Sequence, residues 1–196
     1  MRAIKTQKRA LAIGLVSGLL IGLIAGYMIA SRLQPEIVKA IERNSYTFAG
    51  DTGQLTTPIS YAVDGDWSTK IEWNTTPLGD FSVCILENYT VQNPNYVKWE
   101  FKAYHRNTGS LIATPMEITY WNGPSWKEIY RLDDTEHVNE VFVETLSIPA
   151  EGFLNNRISI KTTIKYSSHV VGAIPPNSPE RLWQYVEYYE GNMIGP

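Results

Sequence analysis

Of the 196 residues, 17 are basic and 20 acidic, a formal net charge of −3, and one is cysteine. Setting aside the four bases that open the chain, Arg2, Lys5, Lys8 and Arg9, leaves 13 basic against 20 acidic residues, a net of −7 for the rest. A body this acidic lacks the basic face that displaces counterions, which excludes nucleic acid as a partner. With Cys84 alone, no intramolecular disulfide can form, so the core must come from size and apolar burial.

Residues 10–31 contain no Asp, Glu, Lys, Arg or His and are built mainly from Leu, Ile, Val, Ala and Gly. At ~1.5 Å of rise per residue this run reaches about 33 Å, enough to cross a hydrocarbon core of about 30 Å. It exceeds the roughly 7 to 15 residues of a signal-peptide apolar region, and Met28 stands where a small-x-small cleavage site ending at Ala30 needs a small residue, so it is read as a retained transmembrane anchor. The basic tail 1–9 places the N-terminus in the cytoplasm and everything beyond the span outside it. Membrane lipid is thus the first expected partner.

Gly14, Gly18, Gly22 and Gly26 recur every fourth residue and share one helical face. Small faces let helix backbones approach closely in lipid, so this face predicts self-association. Residues 32–55 read as a stalk and linker. Pro35 suits a first helical position, Ile37, Val38 and Ile41 line one side of an amphipathic helix to about Asn44, and Gly50-Asp51-Thr52-Gly53 closes the segment as a loop.

From Thr56 to the end the period changes to two. Arg157 to Tyr166 alternates Ile158, Ile160, Thr162, Ile164 and Tyr166 with Arg157, Ser159, Lys161, Thr163 and Lys165, a strand with one buried and one wet face. Further strands are expected over 70–74, 81–91, 96–105, 117–121, 127–132, 138–148 and 182–190. Asp64-Gly65-Asp66, Asn93-Pro94-Asn95, Asn107-Thr108-Gly109, Asn122-Gly123-Pro124 and Pro175-Pro176-Asn177 supply the turns. About eight short strands over 56–196 predict an all-β fold, an antiparallel β-sandwich of jelly-roll type.

Tyr61-Ala62-Val63-Asp64-Gly65-Asp66-Trp67-Ser68-Thr69 resembles the first-strand signature of discoidin domains, also called coagulation factor five/eight type C domains, whose jelly roll many carbohydrate-binding modules share. Glu87-Asn88-Tyr89-Thr90, Trp99-Glu100-Phe101 and Tyr120-Trp121-Asn122-Gly123 with Trp126 are similar to later stretches of such modules. The chain departs from many animal discoidin domains in lacking their cysteine pair. The resemblance implies a structural calcium held by Asp64, Asp66, Thr69 and one of Glu187 or Glu190, with Glu187 nearer the family's position. The ion's hard-oxygen chemistry suits those groups, and Asp-Gly-Asp is equally an ordinary tight turn. Aromatic faces stack on sugar rings, so Trp73, Trp121 and Trp126, near loop ends, are the candidate glycan contacts, against core packing as the alternative.

His105, His137 and His169 stand singly, and no metal-protease, hydrolase or phosphate-loop motif occurs, so no catalytic residue is expected and the chain reads as a non-enzyme. Asn74-Thr75-Thr76 and Asn88-Tyr89-Thr90 are glycosylation sequons, at Asn74 and Asn88. The leading expectation is a membrane-anchored, extracytoplasmic binding or adhesion module for a glycan or a surface protein. The alternative is a type IV pilin-like filament subunit, because Lys8-Arg9-Ala10-Leu11-Ala12 resembles an archaeal class III signal cleaved near Ala10. Pro35 counts against the long continuous helix such subunits favour.

Overall fold

In the computed structural model, residues 41–92, 97–171 and 180–195 are described. The apolar run 10–31 with its four glycines, and the stalk up to residue 40, lie outside them, as do the Asn93-Pro94-Asn95 and Pro175-Pro176-Asn177 turns.

The described residues form eight antiparallel strands, as alternation led us to expect: β1 (Ile41–Gly50), β2 (Gly79–Val91), β3 (Lys98–Asn107), β4 (Met116–Trp121), β5 (Trp126–Leu132), β6 (Glu140–Ser147), β7 (Arg157–Val171) and β8 (Glu180–Ile194). Two assignments differ from the sequence reading. Residues 41–44, expected to end a helical stalk, begin β1, which pairs with β2 from Ile41 opposite Val91 to Gly50 opposite Val83. The segment 70–74, expected as a strand, makes only isolated bridges, Leu55 to Trp73 and Ile71 to Tyr188.

β7 joins the two limbs of the sheet. One of its edges pairs with β2 along Arg157 to Ser168. The other pairs with β4 over Ile160 to Ile164 and then with β8 over Tyr166 to Val171. One limb therefore runs β1-β2-β7-β4-β5 and the other β8-β3-β6. The limbs lie face to face: Tyr89 of β2 meets Trp99 of β3 edge-on at 5.8 Å, and Phe101 of β3 meets Tyr130 of β5 at 5.1 Å, although neither pair of strands is hydrogen-bonded.

Between them sits the core, including Val83, Ile85, Trp99, Phe101, Ile118, Ile160, Ile164 and Tyr188, all fully buried. Each such side chain contributes about 1.5 to 3 kcal/mol of transfer free energy. The core is not wholly apolar. Arg43 reaches inward from β1, with its Nε 2.9 Å from Glu87 Oε1 and its Nη2 3.1 Å from Glu190 Oε1, and both carboxylates are buried. Gly191 packs beside these groups against Trp99 and Tyr188, where a side chain would overlap both.

Candidate functional site

A cavity of about 510 Å³ opens between the β4–β5 hairpin and the loop entering β7. Local sequence builds it. The hairpin closes through Asn122 and Ser125, and Gly123 takes a φ of +101° that a glycine adopts without strain. The tip carries Trp121 and Trp126 as a cross-strand pair with ring centroids 5.5 Å apart. Lys161 of β7 places its Nζ 4.7 Å above the Trp126 ring.

The opposing wall is a 3₁₀ turn, Ala150–Gly152, followed by a two-residue turn. Leu154 and Arg157 exchange backbone hydrogen bonds of 2.8 and 3.1 Å around Asn155 and Asn156, whose φ values are +53° and +60°. Paired positive φ angles mark the hairpin turn class that tolerates Asn best. A Cβ at Gly152 would stand 2.7 Å from the Tyr120 ring, so only glycine lets this turn lie against β4. Tyr120 also donates its hydroxyl proton to Glu151 Oε1 at 2.9 Å, tying the turn in place.

Trp121 and Leu154 give the cavity its apolar lining, while Asn155, Arg157 and Ser159 bring amide, guanidinium and hydroxyl groups. Arg157 enters no ion pair among the described residues. No carboxylate lines the cavity. A flat apolar wall facing the free amide of Asn155 and guanidinium of Arg157 suits a ring with one C–H face and several hydroxyls.

The other expected site residues are dispersed. Trp73 is a core residue rather than a surface platform, 3 % exposed, with its indole N–H donated to Val186 O at 2.7 Å. Its segment runs beside β8, where Ile71 N–H donates to Tyr188 O, and this turns Trp73 inward. Asn88 sits mid-strand, donating its amide to Ser45 Oγ at 3.0 Å and accepting from Ser159 Oγ at 2.5 Å. Asn74 accepts from Thr76 N–H at 3.0 Å in its own turn.

Of the residues expected to share a calcium, Asp64, Asp66 and Thr69 share one loop, and Arg43 links that loop to Glu190, donating from Nη1 to Val63 O and from Nη2 to Glu190 Oε1. Thr69 donates to Asp64 Oδ2 at 2.8 Å, and Asp66 Oδ1 accepts from Ser68 N–H and Oγ–H, so the Asp-Gly-Asp loop satisfies its own carboxylates. Glu187 is neutralised by Lys70, and Glu190 by Arg43. Among the described residues no three of His, Cys, Asp and Glu converge where a metal ion would sit. The histidines are each held by structure. His105 is buried with Nδ1 2.7 Å from Glu136 O, His137 stacks on Phe142 at 4.2 Å, and His169 meets Asp80 at 3.1 Å.

Sequence reasoning singled out Trp121 and missed Asn155, Arg157 and Ser159. The one available signal was Asn155-Asn156 before a clear strand, a pair that favours positive φ.

No family model matches the chain, and no curated protein matches it. Among solved structures it is similar to a family 61 carbohydrate-binding module in complex with β-1,4-galactotriose, at 8 % identity and a TM-score of 0.45, over 78 % of this chain and 90 % of that one. It is also similar to the family 32 module of NanJ from C. perfringens in complex with galactose, at 18 % identity and a TM-score of 0.35, over 76 % and 91 % of the two chains. A further Clostridium perfringens family 32 module, in complex with GalNAc-β-1,3-galactose, matches at 12 % identity and a TM-score of 0.38, over 80 % and 96 %.

Proposed function

We propose that this domain is a carbohydrate-binding module whose ligand seats in the Trp121 cavity. The observation that carries the reading is the pairing of one indole wall with two polar side chains, Asn155 and Arg157, that have no side-chain partner among the described residues, beside the Ser159 hydroxyl that donates to Asn88, on a rigid hairpin and a glycine-dependent turn. Trp121 stacks on the apolar face of a sugar ring, and the opposite wall hydrogen-bonds its hydroxyls. Binding without turnover is the reading favoured by a lining that has no pair of carboxylates for glycoside chemistry.

The sequence adds a setting. The uncharged run 10–31 behind a basic tail supports a tether that holds the domain outside the cytoplasm, and the Gly14, Gly18, Gly22 and Gly26 face supports gathering of copies, which raises avidity for repeated glycans.

The test is a glycan array probed with the full chain and with Trp121→Ala, followed by titration of the best ligand. Truncating a stacking tryptophan removes about 2 kcal/mol or more, so the dissociation constant is expected to rise about 30-fold. Trp121→Phe keeps part of the affinity. An array blank for the full chain, or the same profile for Trp121→Ala, overturns the proposal.

A further inference from the structure

The two limbs of the sheet present unlike outer faces. Outside β2 and β7 the half-buried positions are Ser82, Cys84, Leu86, Asn88, Thr90, Ser159, Lys161 and Thr163, a mostly polar surface. Outside β3, β8 and β6 the face carries Tyr104, Trp183, Tyr185 and Tyr189, with Val141 and Val143 half-exposed at its edge. All four rings are half-buried, Trp183 and Tyr185 against the core, and a wholly solvated sheet face has no need of four of them.

Register collects the rings around a cation. Arg106 lies opposite Tyr185 in the β3–β8 pairing, and Tyr104 opposite Glu187. Tyr104, Arg106 and Tyr185, with Trp183 and Thr75, line a second cavity, about 200 Å³, on this face. It is smaller than the roughly 300 to 1,000 Å³ of sites for larger ligands, a size for a single residue of a chain. Its floor is rigid, since Tyr185 stacks on buried Tyr166 with centroids 5.7 Å apart.

The other cations of this face are committed. Lys70 pairs with Glu72 and Glu187, Lys102 donates to Trp67 O at 2.9 Å and covers the Tyr189 ring at 4.2 Å, and Arg181 donates to Pro77 O at 2.7 Å. Arg106 alone of the four enters no ion pair and makes no side-chain hydrogen bond among the described residues, and it lines the aromatic pocket. Glu187, the nearest acid of the face in register, is already neutralised by Lys70.

We propose that this pocket is a second binding site, distinct from the Trp121 cavity, for a sugar residue bearing a carboxylate. Tyr104, Trp183 and Tyr185 hold the ring, Arg106 takes the carboxylate in a forked hydrogen bond, and Thr75 meets a hydroxyl. The assignment of a sugar rests on the carbohydrate reading above, while the requirement for an anion rests on Arg106. The module would then hold acidic polysaccharide along a sheet face and a neutral residue at the hairpin end.

The experiment is calorimetric titration of the full chain with trigalacturonate and, separately, with β-1,4-galactotriose, for the wild type, Arg106→Gln, Trp183→Leu and Trp121→Ala, each first shown to be folded by its melting transition. Trigalacturonate affinity is expected to fall about 10- to 100-fold in Arg106→Gln, the loss that follows removal of charge-assisted hydrogen bonds, and to weaken with added salt. It should fall in Trp183→Leu and stay unchanged in Trp121→Ala. Absence of trigalacturonate binding, unchanged affinity in Arg106→Gln, or its loss in Trp121→Ala overturns the sheet-face site. If galactotriose fails to bind while trigalacturonate behaves as stated, the Trp121 reading falls and the sheet-face site stands.

Discussion

Arg43→Met is expected to cost the domain about 3 to 5 kcal/mol, measured as a lower urea midpoint at unchanged slope. Arg43 is the one basic group among the buried acids Glu87 and Glu190, with contacts of 2.9 and 3.1 Å. Its guanidinium also donates to Tyr89 Oη at 2.9 Å, Val63 O at 2.7 Å, Gly191 O at 3.0 Å and Asn192 Oδ1 at 2.7 Å. Burial alone would lower its pKa, but Glu87, Tyr89 and Glu190 outweigh that and raise it. One side chain therefore fastens β1 to β2, to β8 and to the loop before Asp64. Removing it strands two buried carboxylates, whose Oε2 atoms already have no partner among the described residues. A midpoint within error of the wild type would contradict this account. Restoration by Arg43→Met combined with Glu87→Gln would locate the penalty in the surplus charge.

The second large effect is on pH dependence. Burial pushes Glu87 up to about 7 from an ordinary value of 4.5, against the pull of Arg43 and the hydrogen bond from Tyr89, with Glu190 adding repulsion. Glu190 and Glu187 are raised as well, chiefly by burial. A carboxylate whose pKa is higher in the folded state stabilises the protein fully below its unfolded value, and that contribution is lost as pH rises through the folded value. For Glu87 the window is about 4.5 to 7, and the amount about 3 kcal/mol. The groups that face it, Arg43 from β1, Tyr89 from β2 and Glu190 from β8, leave one negative charge in excess when both acids ionise. The domain should therefore melt at a higher temperature at pH 5 than at pH 8. Glu87→Gln should match the wild type at pH 5 and exceed it at pH 8, flattening the profile. A wild-type profile that rises between pH 5 and 8, or a Glu87→Gln profile of the same slope, would refute the assignment. Asp66 and Asp80 are lowered, by hydrogen bonds from Ser68 and Ser167 respectively, and act in the opposite sense only at more acidic pH.

The same cluster explains the clearest departure from the sequence reading. Ile37, Val38 and Ile41 with charges between them fit an amphipathic helix, yet residues from Ile41 on are a strand because Arg43 points inward. A period-two pattern that buries a charge is invisible to hydrophobicity, since the arginine counts as a surface residue until its acids are found. Those acids lie 44 and 147 residues away, at Glu87 and Glu190. In the opposite sense, 70–74 alternates well but only bridges its neighbours, because alternation reports which side chains face inward and not whether a backbone finds a ladder.

Seven of the expected strands were legible for one reason. A dry and a wet face alternate along β2, β3 and the first ten residues of β7, and the period of two writes that asymmetry directly into residue order, as in Ile158, Ile160, Thr162 and Ile164. Turn chemistry was legible too, because Gly50, Gly65 and Gly123 occupy positive φ that glycine adopts without strain. The all-β class and its turns are thus properties of neighbouring residues. The sites are not. Trp73 and Trp121 are the same residue type near similar loop ends, and only the bridge of Ile71 to β8 sends one into the core while the hairpin register leaves the other at a cavity. The Asp-Gly-Asp loop, read alone, offers two carboxylates, and only folding shows them satisfied by Thr69 and Ser68. Arg106, Trp183 and Thr75 carry no common motif, and the β3–β8 register and the return of the chain after Trp73 bring them to one pocket. Burial period is a local quantity and can be read along a chain, whereas the partner of a charge or a ring is set by contacts across the fold, which only the tertiary structure decides.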